Sequence, residues 1–412
     1  MTTGRGEPRA SAAEPLAVAA FDPGSASFIA DPYPAYARLR DEQPVAWYPA
    51  KQWWIVSRHA DVDAILRDRR FGRRFDPRQP YERFAPWNLV NEHAMLELEP
   101  PDHTRLRRLV SHAFTPRRVE GMRQQIRSIT DELVDGLIEY GSGDVLSLLA
   151  EPLPVSVIAD LLGIEGSDRQ LLRPWSNAIV ALYEPAADPA VEDMAITAAR
   201  EFVEYLDALI NHRQRQPGDD LFSALVSLQV EGDRLNRNEL IATAVLLLNA
   251  GHEASVNVVG NGLVALMDHR DEWTALTSSP DLAASMVEEA IRYDTPLSVF
   301  TRVASTDVDI AGDTIAAGET VGLLLASANR DDRAFPHPET FDIRRKPNPH
   351  LGFGAGIHFC LGAALARVEL QEVFTQLATR LPELQLAGEP TRRNSYQFRG
   401  YARIPMVFNK RT

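Results

Sequence analysis

The one cysteine of the chain, Cys360, lies in a glycine-rich segment of unusual composition. Residues 351–370 read LGFGAGIHFCLGAALARVEL and contain the pattern F-G-x-G-x-H-x-C-x-G. Six such fixed positions match by chance on the order of once in 10⁸ windows at typical residue usage. The strong helix former after Cys360 places the sulfur at a predicted helix start, where free N–H groups and the helix dipole stabilise a thiolate. Such a thiolate can ligate iron.

Two other interpretations of Cys360 stay open on the residues alone. A lone cysteine is most often a small buried hydrophobe. A Cys–His hydrolase is a second alternative, although the local signatures of caspases and papain-like enzymes are absent. The glycines favour the iron site, because they remove side chains where the backbone turns sharply or a flat ligand approaches closely. Phe353 can shield the sulfur from water and so tune a reduction potential.

This segment resembles the haem-binding loop of the cytochrome P450 superfamily, of the bacterial soluble, ferredoxin-dependent type. The resemblance implies haem b (iron protoporphyrin IX) as cofactor and Cys360 as its metal ligand, whose electron density favours O–O cleavage. It also implies the cytochrome P450 fold, mainly α, with a large helical domain and a small β-rich lobe. We expect residues 1–20 to be a flexible tail and residues 21–412 a single catalytic domain.

Haem propionates are anions and need cationic or hydrogen-bonding partners. His103 and Arg107 are four residues apart in PPDHTRLRRLV, hence on one face of a helix predicted to begin near Pro101. The resemblance implies that these two residues, Arg302 and His358 hold the propionates. The other residues implied to contact the cofactor are Ala250, Gly251, Phe353, Gly354, Gly356, Cys360 and Gly362.

A Glu-x-x-Arg motif, Glu289-Ala290-Ile291-Arg292, precedes the cysteine loop. At spacing i, i+3 the two charged side chains share a helix face and can pair. Taken alone, such a pair is usually a solvated surface contact. The resemblance gives it a structural role instead, in a network that reaches the stretch 329–344.

The longest predicted helix begins near Asn236 and ends near His269. Residues 240–266 are apolar on nearly all sides, so this helix must be buried. It contains the run Ala250-Gly251-His252-Glu253-Ala254-Ser255. A glycine and polar residues inside a buried apolar helix cost stability, which predicts a local break with a functional reason.

The resemblance makes this run the distal side of the haem, where oxygen binds and protons are delivered. The family pattern has an acid followed by threonine, whereas Glu253 is followed by Ala254. Ser255 lies about 100° further round the helix, so whether it replaces the missing hydroxyl stays open. Similar Ala-Ser endings are known in a macrolide-hydroxylating branch, in which a substrate hydroxyl and water take over this task. We expect Cys360 and these three residues to form the catalytic centre.

The resemblance draws the substrate pocket from several segments of the chain. The candidates by position are Phe84, Trp87, Leu89, Leu246, Asn249, Val299 and Phe398. Most of them are apolar, which indicates a hydrophobic substrate of drug-like size or larger. The Asn249 amide either orients a substrate oxygen or is satisfied by backbone. The arginines at 73, 74, 78 and 83 fit an acidic or glycosylated substrate, or more simply a solvated rim.

The chain shows no flavin or ferredoxin domain, so its electrons are expected from outside. The resemblance implies ferredoxin and ferredoxin reductase as partners, with NAD(P)H as electron source and O₂ as co-substrate. A basic patch suits an acidic ferredoxin, because complementary charge speeds encounter. The residues of this predicted patch are Arg105, Arg108, Arg117, Arg118 and Arg367. Some of them can equally be ordinary surface arginines.

The composition limits the remaining classes of protein. The chain has 412 residues, of which 45% are hydrophobic and 24% charged, as in ordinary globular proteins. A net charge of −14 argues against a nucleic-acid binder. One cysteine excludes a disulfide framework and any multi-thiolate metal site. No apolar run approaches the ~18–20 residues of a membrane span. We therefore expect a soluble, cytoplasmic monomer that binds neither membrane nor nucleic acid.

The elements that must position these residues are read from periodicity. Val45–Val56 predicts a hairpin at the edge of a small sheet, and Val308–Leu325 is a second β-like stretch. Apolar spacings of three and four predict helices over 119–138, 155–162, 198–210 and 286–291. The proline- and aromatic-rich segment 71–98 predicts a long loop that is a functional lid or disordered.

The expected activity is that of a haem-thiolate monooxygenase. It would insert one oxygen atom of O₂, by hydroxylation or epoxidation, into a hydrophobic natural product such as a polyketide or macrolide. Within the enzymes, a P450-type peroxygenase or an oxidative coupling enzyme is the alternative. A non-catalytic haem-thiolate sensor or binding protein is the rival from another class, and it would ordinarily need an output domain.

Overall fold

The computed structural model describes residues 21–183, 188–230 and 232–408, so the predicted tail at 1–20 lies outside the described residues. Helices dominate this part of the chain. In order they are α1 Ala26–Ala30, α2 Tyr33–Glu42, α3 His59–Arg67, α4 Tyr81–Glu92, α5 Asp102–Ala113, α6 Pro116–Gly121, α7 Arg123–Tyr140, α8 Pro152–Leu161, α9 Arg169–Ala181, α10 Pro189–Arg215, α11 Leu221–Ser227, α12 Arg237–Asp268, α13 Arg270–Ser278, α14 Ala283–Tyr293, α15 Leu325–Ala328 and α16 Ala363–Arg380.

The strands are short and form small sheets. They are β1 Val45–Tyr48, β2 Trp53–Val56, β3 Phe71–Gly72, β4 Ser142–Asp144, β5 Phe300–Ala304, β6 Val308–Ile310, β7 Asp313–Ile315, β8 Thr320–Leu323, β9 Gln385–Leu386, β10 Thr391–Arg392, β11 Tyr401–Arg403 and β12 Pro405–Val407. The largest sheet has the order β1–β2–β8–β5–β3. The expected architecture, mainly α with a minor β-rich part, is confirmed.

Both predicted β regions are confirmed. β1 and β2 pair as an antiparallel hairpin with Val45 opposite Val56, and β1 is the edge strand of the largest sheet. In the second region β6 and β7 form their own hairpin, while β8 joins the largest sheet beside β2 and β5. This sheet carries Arg302 on β5, which brings a predicted cofactor residue beside the helical core.

The long central helix has the predicted ends. Asn236 caps α12: its side chain accepts from the Glu239 amide, and the Glu239 carboxylate accepts in return from the Asn236 amide. This capping box satisfies two N–H groups that would otherwise lack partners. The predicted local break is wrong, because α12 runs unbroken through Gly251. A Cβ at this glycine would lie 3.2 Å from Ile158 Cδ1, so the glycine lets α8 approach closely.

Two further sequence predictions of local structure are wrong. The segment 71–98 is not one long loop, since α4 occupies residues 81–92 despite Pro86. Its residues Phe84, Trp87 and Val90 are buried at helical spacing, and that packing outweighs the lost hydrogen bond. The predicted single helix 119–138 is divided at Met122 into α6 and α7.

The core lies around α12. One large cluster of buried apolar residues joins α12 to helices on all sides, including α4, α8, α14 and α16. Two smaller clusters lie under the largest sheet and under the N-terminal aromatic residues. Within the described ranges, none of the helices is both long and apolar enough to span a membrane. The cysteine loop leads directly into α16, which packs against α14 and α7.

Candidate active site

The loop before Cys360 is shaped by two glycines. Gly354 and Gly356 have φ values of 69° and 70°, in the left-handed region that favours glycine. A Cβ on Gly356 would lie 2.2 Å from the carbonyl oxygen of Leu66, so this glycine also lets the loop lie against the end of α3. The Cys360 amide then donates to the Phe353 carbonyl at 2.9 Å, which closes the loop. These turns fix where the sulfur points.

The sulfur of Cys360 lies at the start of α16, as predicted. Burial raises the pKa of the Cys360 thiol, whereas hydrogen bonds from the Gly362 and Ala363 amides and the charges of Arg107 and Arg367 lower it. Burial has the larger effect, so the helix start alone does not make the thiol unusually acidic. A bound metal cation removes the proton of a coordinating thiol outright. The donor set thus fits a sulfur that becomes a thiolate on binding iron.

Buried nitrogens without partners lie beside the loop. His103 on α5 is only 2% exposed, and neither ring nitrogen has a hydrogen-bond partner within the described chain. Its ring lies 4.5 Å from that of His358, centroid to centroid. Arg302 on β5 is also 2% exposed, and burial lowers the pKa of its guanidinium to about 10. The buried cation of Arg302 and the His103 imidazole, which lacks hydrogen-bond partners within the described chain, fit the anionic propionates of a haem.

The other two predicted propionate partners are engaged by protein groups. Arg107 Nη2 donates to the carbonyl oxygen of Phe359 at 2.7 Å, so Arg107 holds the residue before the cysteine. His358 Nε2 lies 2.8 Å from Oε1 of Glu99, which also accepts from the Arg73 amide at 2.7 Å. Glu99 is therefore part of this site, although the sequence did not indicate it.

The central helix presents one face to internal space. Between Glu239 and Met267 the residues that are not buried are Leu246, Leu247, Ala250, Gly251 and Ala254. Leu246, Ala250 and Ala254 are four apart and share one face of α12. Ala250 is exposed although the helix runs through the core. This accessible row, with small side chains at Ala250 and Ala254, fits the approach of a flat macrocycle, as the resemblance implies.

Glu253 lies close to this face and pairs with an arginine from the C-terminal strands. Its side chain is 9% exposed and forms an ion pair with Arg393, which follows β10. Arg393 is 38% exposed, so the pair connects the interior to solvent. The neighbouring His252 is buried, its Nε2 has no partner in the described residues, and burial lowers the pKa of its imidazole. Glu253 is thus a buried carboxylate joined to a partly exposed arginine.

Ser255 contacts a residue of α16. Its hydroxyl hydrogen-bonds to Glu369, a carboxyl that is only 3% exposed. Burial raises the pKa of Glu369 to about 8, against a usual 4.5, and the hydrogen bond from Ser255 lowers it only in part. The partner of Ser255 is therefore a buried carboxyl that is mostly protonated near neutral pH. Sequence reasoning missed Glu369, which resembles any other polar residue of an amphipathic helix.

The raised pKa of Glu369 predicts a pH-dependent stability. Between pH 4.5 and about 8 the folded protein keeps a proton on this carboxyl that the unfolded chain has lost. The free energy of unfolding should therefore fall as pH rises through this window, by at most about 1.4 kcal/mol per pH unit. Urea unfolding of the wild type and of Glu369→Gln, at pH 5.5 and 7.5, measures this contribution. Equal pH dependence of the two proteins would contradict it.

The Glu-x-x-Arg pair is fully buried. Arg292 donates to both carboxylate oxygens of Glu289 at 2.7 and 2.8 Å, and both side chains are 0% exposed. Arg292 also donates to the carbonyl oxygens of Asn329, Pro338 and Thr340. The pair thereby ties α14 to the segment that leads toward the cysteine loop.

The predicted substrate residues do not all lie together. Leu246 and Asn249 line one small cavity, with Asn91, Glu97 and Tyr183 among its other walls. Four other predicted substrate residues belong to the buried core or pack against it: Phe84, Trp87, Leu89 and Val299. Phe398 is half-buried and forms an isolated β-bridge with Leu297.

Most of the arginines considered for a solvated rim are bound to acids. Arg73 pairs with Glu97 at 2.6 Å, and both side chains are less than 15% exposed. Arg83 pairs with Glu192 at 2.7 Å and so joins α4 to α10. Arg78 donates to the Leu182 carbonyl and Arg74 pairs with Asp76. Arg73 is therefore a buried structural cation, not a rim residue.

Comparisons with known proteins agree with this geometry. A family model described as Cytochrome P450 matches residues 279–381. Cytochrome P450 monooxygenase PikC of Streptomyces venezuelae is 42% identical and covers 88% of this chain and 87% of its own. Cytochrome P450 107B1 of Saccharopolyspora erythraea is 39% identical, with 92% and 96% covered. The solved structure of the Bacillus subtilis 168 bacillaene polyketide synthase cytochrome P450 PksS has a TM-score of 0.87 and 35% identity, with 95% and 100% covered.

The loop around Cys360, the helical fold and these similarities lead to one conclusion. The relatives match nearly the whole chain, and the family model covers both the Glu-x-x-Arg pair and the cysteine. The buried groups beside the loop fit the family's cofactor, haem b. The chain belongs to the cytochrome P450 family and is a haem-thiolate oxidoreductase.

Proposed function

We propose that this cytochrome P450 inserts one oxygen atom from O₂ into a hydrophobic natural product such as a polyketide or macrolide, by hydroxylation or epoxidation. The observation that carries the proposal is the combination of the Cys360 loop with an accessible face of small and apolar residues on α12. The likeness to PksS, named as a polyketide synthase P450, supports the substrate class. When bound, the haem would supply the redox chemistry of O₂ activation, and Cys360 would hold its iron.

Proton delivery on the α12 side depends on Glu253. Ala254 has no hydroxyl, and the hydroxyl of Ser255 is engaged by Glu369. We infer that Glu253 passes protons inward through water, and that a substrate hydroxyl takes the place of the missing threonine. The ion pair with Arg393 holds the Glu253 carboxylate at the end of this route.

Asn249 is proposed to orient the substrate. It is 6% exposed, and neither side-chain atom has a well-formed hydrogen bond within the described residues. An unpartnered buried amide costs stability, so a ligand group that pairs with it gains affinity. The hydroxyl of Tyr183, in the same cavity, donates to Asn91 at 2.8 Å. This polar wall suits a hydroxyl or carbonyl group on an otherwise apolar substrate.

The proposed activity is tested in two steps. A compound library is first screened for shifts of the Soret band from low to high spin. Each compound that shifts the band is then incubated with reductant, a ferredoxin, its reductase and ¹⁸O₂. Incorporation of one ¹⁸O atom per product supports a monooxygenase. Product formed from peroxide alone favours the peroxygenase, a coupled product without new oxygen favours the coupling enzyme, and normal reduction without turnover favours a binding protein.

Electrons are proposed to come from a ferredoxin that docks beside the cysteine loop. Phe359, the residue before Cys360, is 41% exposed and gives this surface an apolar centre. Of the predicted basic patch, Arg105 is paired with Glu239 and Asp233, and Arg118 donates to the Asp219 carbonyl. These two of the five patch residues are therefore committed to partners of their own.

Arg108 and Arg117 provide the test of this docking surface. Arg108 is 37% exposed and forms an ion pair with Asp233 at 3.5 Å. Arg117 is exposed. Changing both to Glu should slow reduction by ferredoxin at least tenfold at low salt, because the approach of an acidic partner becomes repulsive. Stopped-flow reduction measures this rate. Arg200→Glu, an exposed position on α10, is the matched control and should leave the rate unchanged; equal rates for all three proteins would contradict docking here.

A further inference from the structure

Arg367 on α16 is held by two groups at once. Its Nε and Nη2 donate to the two carboxylate oxygens of Glu288 at 2.7 and 2.8 Å. Its guanidinium carbon lies 4.4 Å from the centre of the Phe353 ring. A planar guanidinium can make both contacts together, with a bidentate carboxylate at its edge and an aromatic face beneath it. Arg367 is therefore held in place, although its side chain is still 34% exposed.

Glu288 is held just as firmly. It lies on α14 next to Glu289, and its Oε2 also lies 3.1 Å from Nε2 of His350. Burial alone would raise the pKa of the Glu288 carboxyl, but the hydrogen bonds from Arg367 and His350 outweigh it and lower that pKa to about 2. The His350 ring in turn lies 5.8 Å from the Phe353 ring. One carboxylate thus positions two side chains around Phe353.

This cluster is linked directly to the cysteine. The Phe353 carbonyl accepts from the Cys360 amide, so the aromatic ring and the sulfur belong to one closed loop. The charge of Arg367 acts on the Cys360 sulfur and favours its anionic form. Arg107, the other arginine that acts on this sulfur, approaches from α5. Of these two arginines, Arg367 is the one that a carboxylate on α14, that of Glu288, holds in position.

We propose that Glu288, through Arg367 and Phe353, is a positioning residue that sets the reduction potential of the iron bound by Cys360. The inference rests on the proposed function only in that Cys360 holds a haem iron. One-electron reduction adds a negative charge at the iron and its ligand, and a fixed cation nearby favours the reduced state. Glu288 holds that cation in place and cancels part of its charge.

The test is a spectroelectrochemical titration of the haem-loaded protein. Arg367→Gln should lower the equilibrium constant for reduction about tenfold, which is 59 mV for one electron. Arg367→Lys keeps the charge without the bidentate pair or the planar stack, so its decrease should be smaller. Glu288→Gln should shift the potential upward, because the amide oxygen can still accept from Arg367 and hold the guanidinium on Phe353, while the neutralising negative charge is lost. Arg380→Gln, a half-buried position on the same helix that pairs with Asp131 and Asp135, should leave the potential unchanged.

The outcomes separate this inference from the proposed function. A wild-type protein whose reduced carbon monoxide complex lacks the thiolate band refutes the haem-thiolate assignment itself. With that band present, a reduction constant for Arg367→Gln within twofold of the wild type overturns the role of Arg367. If Arg367→Gln does not retain haem, the sign for Glu288→Gln decides: an upward shift supports the proposal, and no shift or a downward one overturns it.

Discussion

Replacing Glu289 with Gln is expected to lower the free energy of unfolding by about 3–5 kcal/mol. The change leaves Arg292 as a buried cation without its carboxylate, at a site where both side chains are 0% exposed. It also removes the anion that accepts from Arg345 and from the Asp342 amide. Three residues from two segments of the chain lose a shared anionic partner at once, so we expect most of the expressed protein to lack haem.

Urea unfolding followed by circular dichroism measures this loss of stability. The control is Asp63→Asn, which removes the exposed ion pair between Asp63 and Arg67 within α3. Exposed pairs at this spacing contribute less than about 1 kcal/mol. If Glu289→Gln cost no more than this control, the buried network would not be what joins α14 to the cysteine loop.

Replacing Glu253 with Gln is expected to lower product formation roughly 100-fold while the haem remains bound. The amide keeps the size of the side chain and can still accept from Arg393, but it cannot pass on a proton. Turnover is measured with reductant and a substrate identified by the spin-state screen. Arg393→Gln, which removes the ion pair but keeps the Glu253 carboxylate, should cost much less. Equal losses in both variants would assign Glu253 a structural role.

The coupling of electrons to product tests the same account of proton delivery. Hydrogen peroxide released per NADH consumed is compared for the wild type and Ala254→Thr. If a substrate hydroxyl does the work of the missing threonine, the wild type is already well coupled with its true substrate. A wild type that loses most electrons as peroxide, and an Ala254→Thr variant that repairs the loss, would contradict this account.

The sequence predicted the features that depend on local pattern. The continuous apolar run predicted both ends of α12, near Asn236 and near His269, because the length of an apolar run is a local property. The spacing of glycines around Cys360 predicted a tight loop before a helix, and both are present. The hairpin at residues 45–56 followed from β-branched and aromatic runs on either side of a turn.

Features that depend on distant packing could not be read in this way. Glu253 and Arg393 are 140 residues apart, and nothing in either segment indicates the other. The pairing of Ser255 with Glu369 likewise depends on how α12 crosses α16. The prolines between residues 71 and 98 suggested a loop, whereas the packing of Phe84 and Trp87 holds a helix there. Local propensity yields to tertiary contacts when the buried area is large.

The central claim is that the sulfur of Cys360 bonds to haem iron as a thiolate. The direct measurement is the absorbance spectrum of the reduced, carbon monoxide-treated protein, for the wild type and for Cys360→Ala. We predict a maximum near the wavelength that gives the family its name in the wild type, and its loss in the variant. Absence of that maximum from the wild type, or its persistence unchanged in Cys360→Ala, would contradict the account.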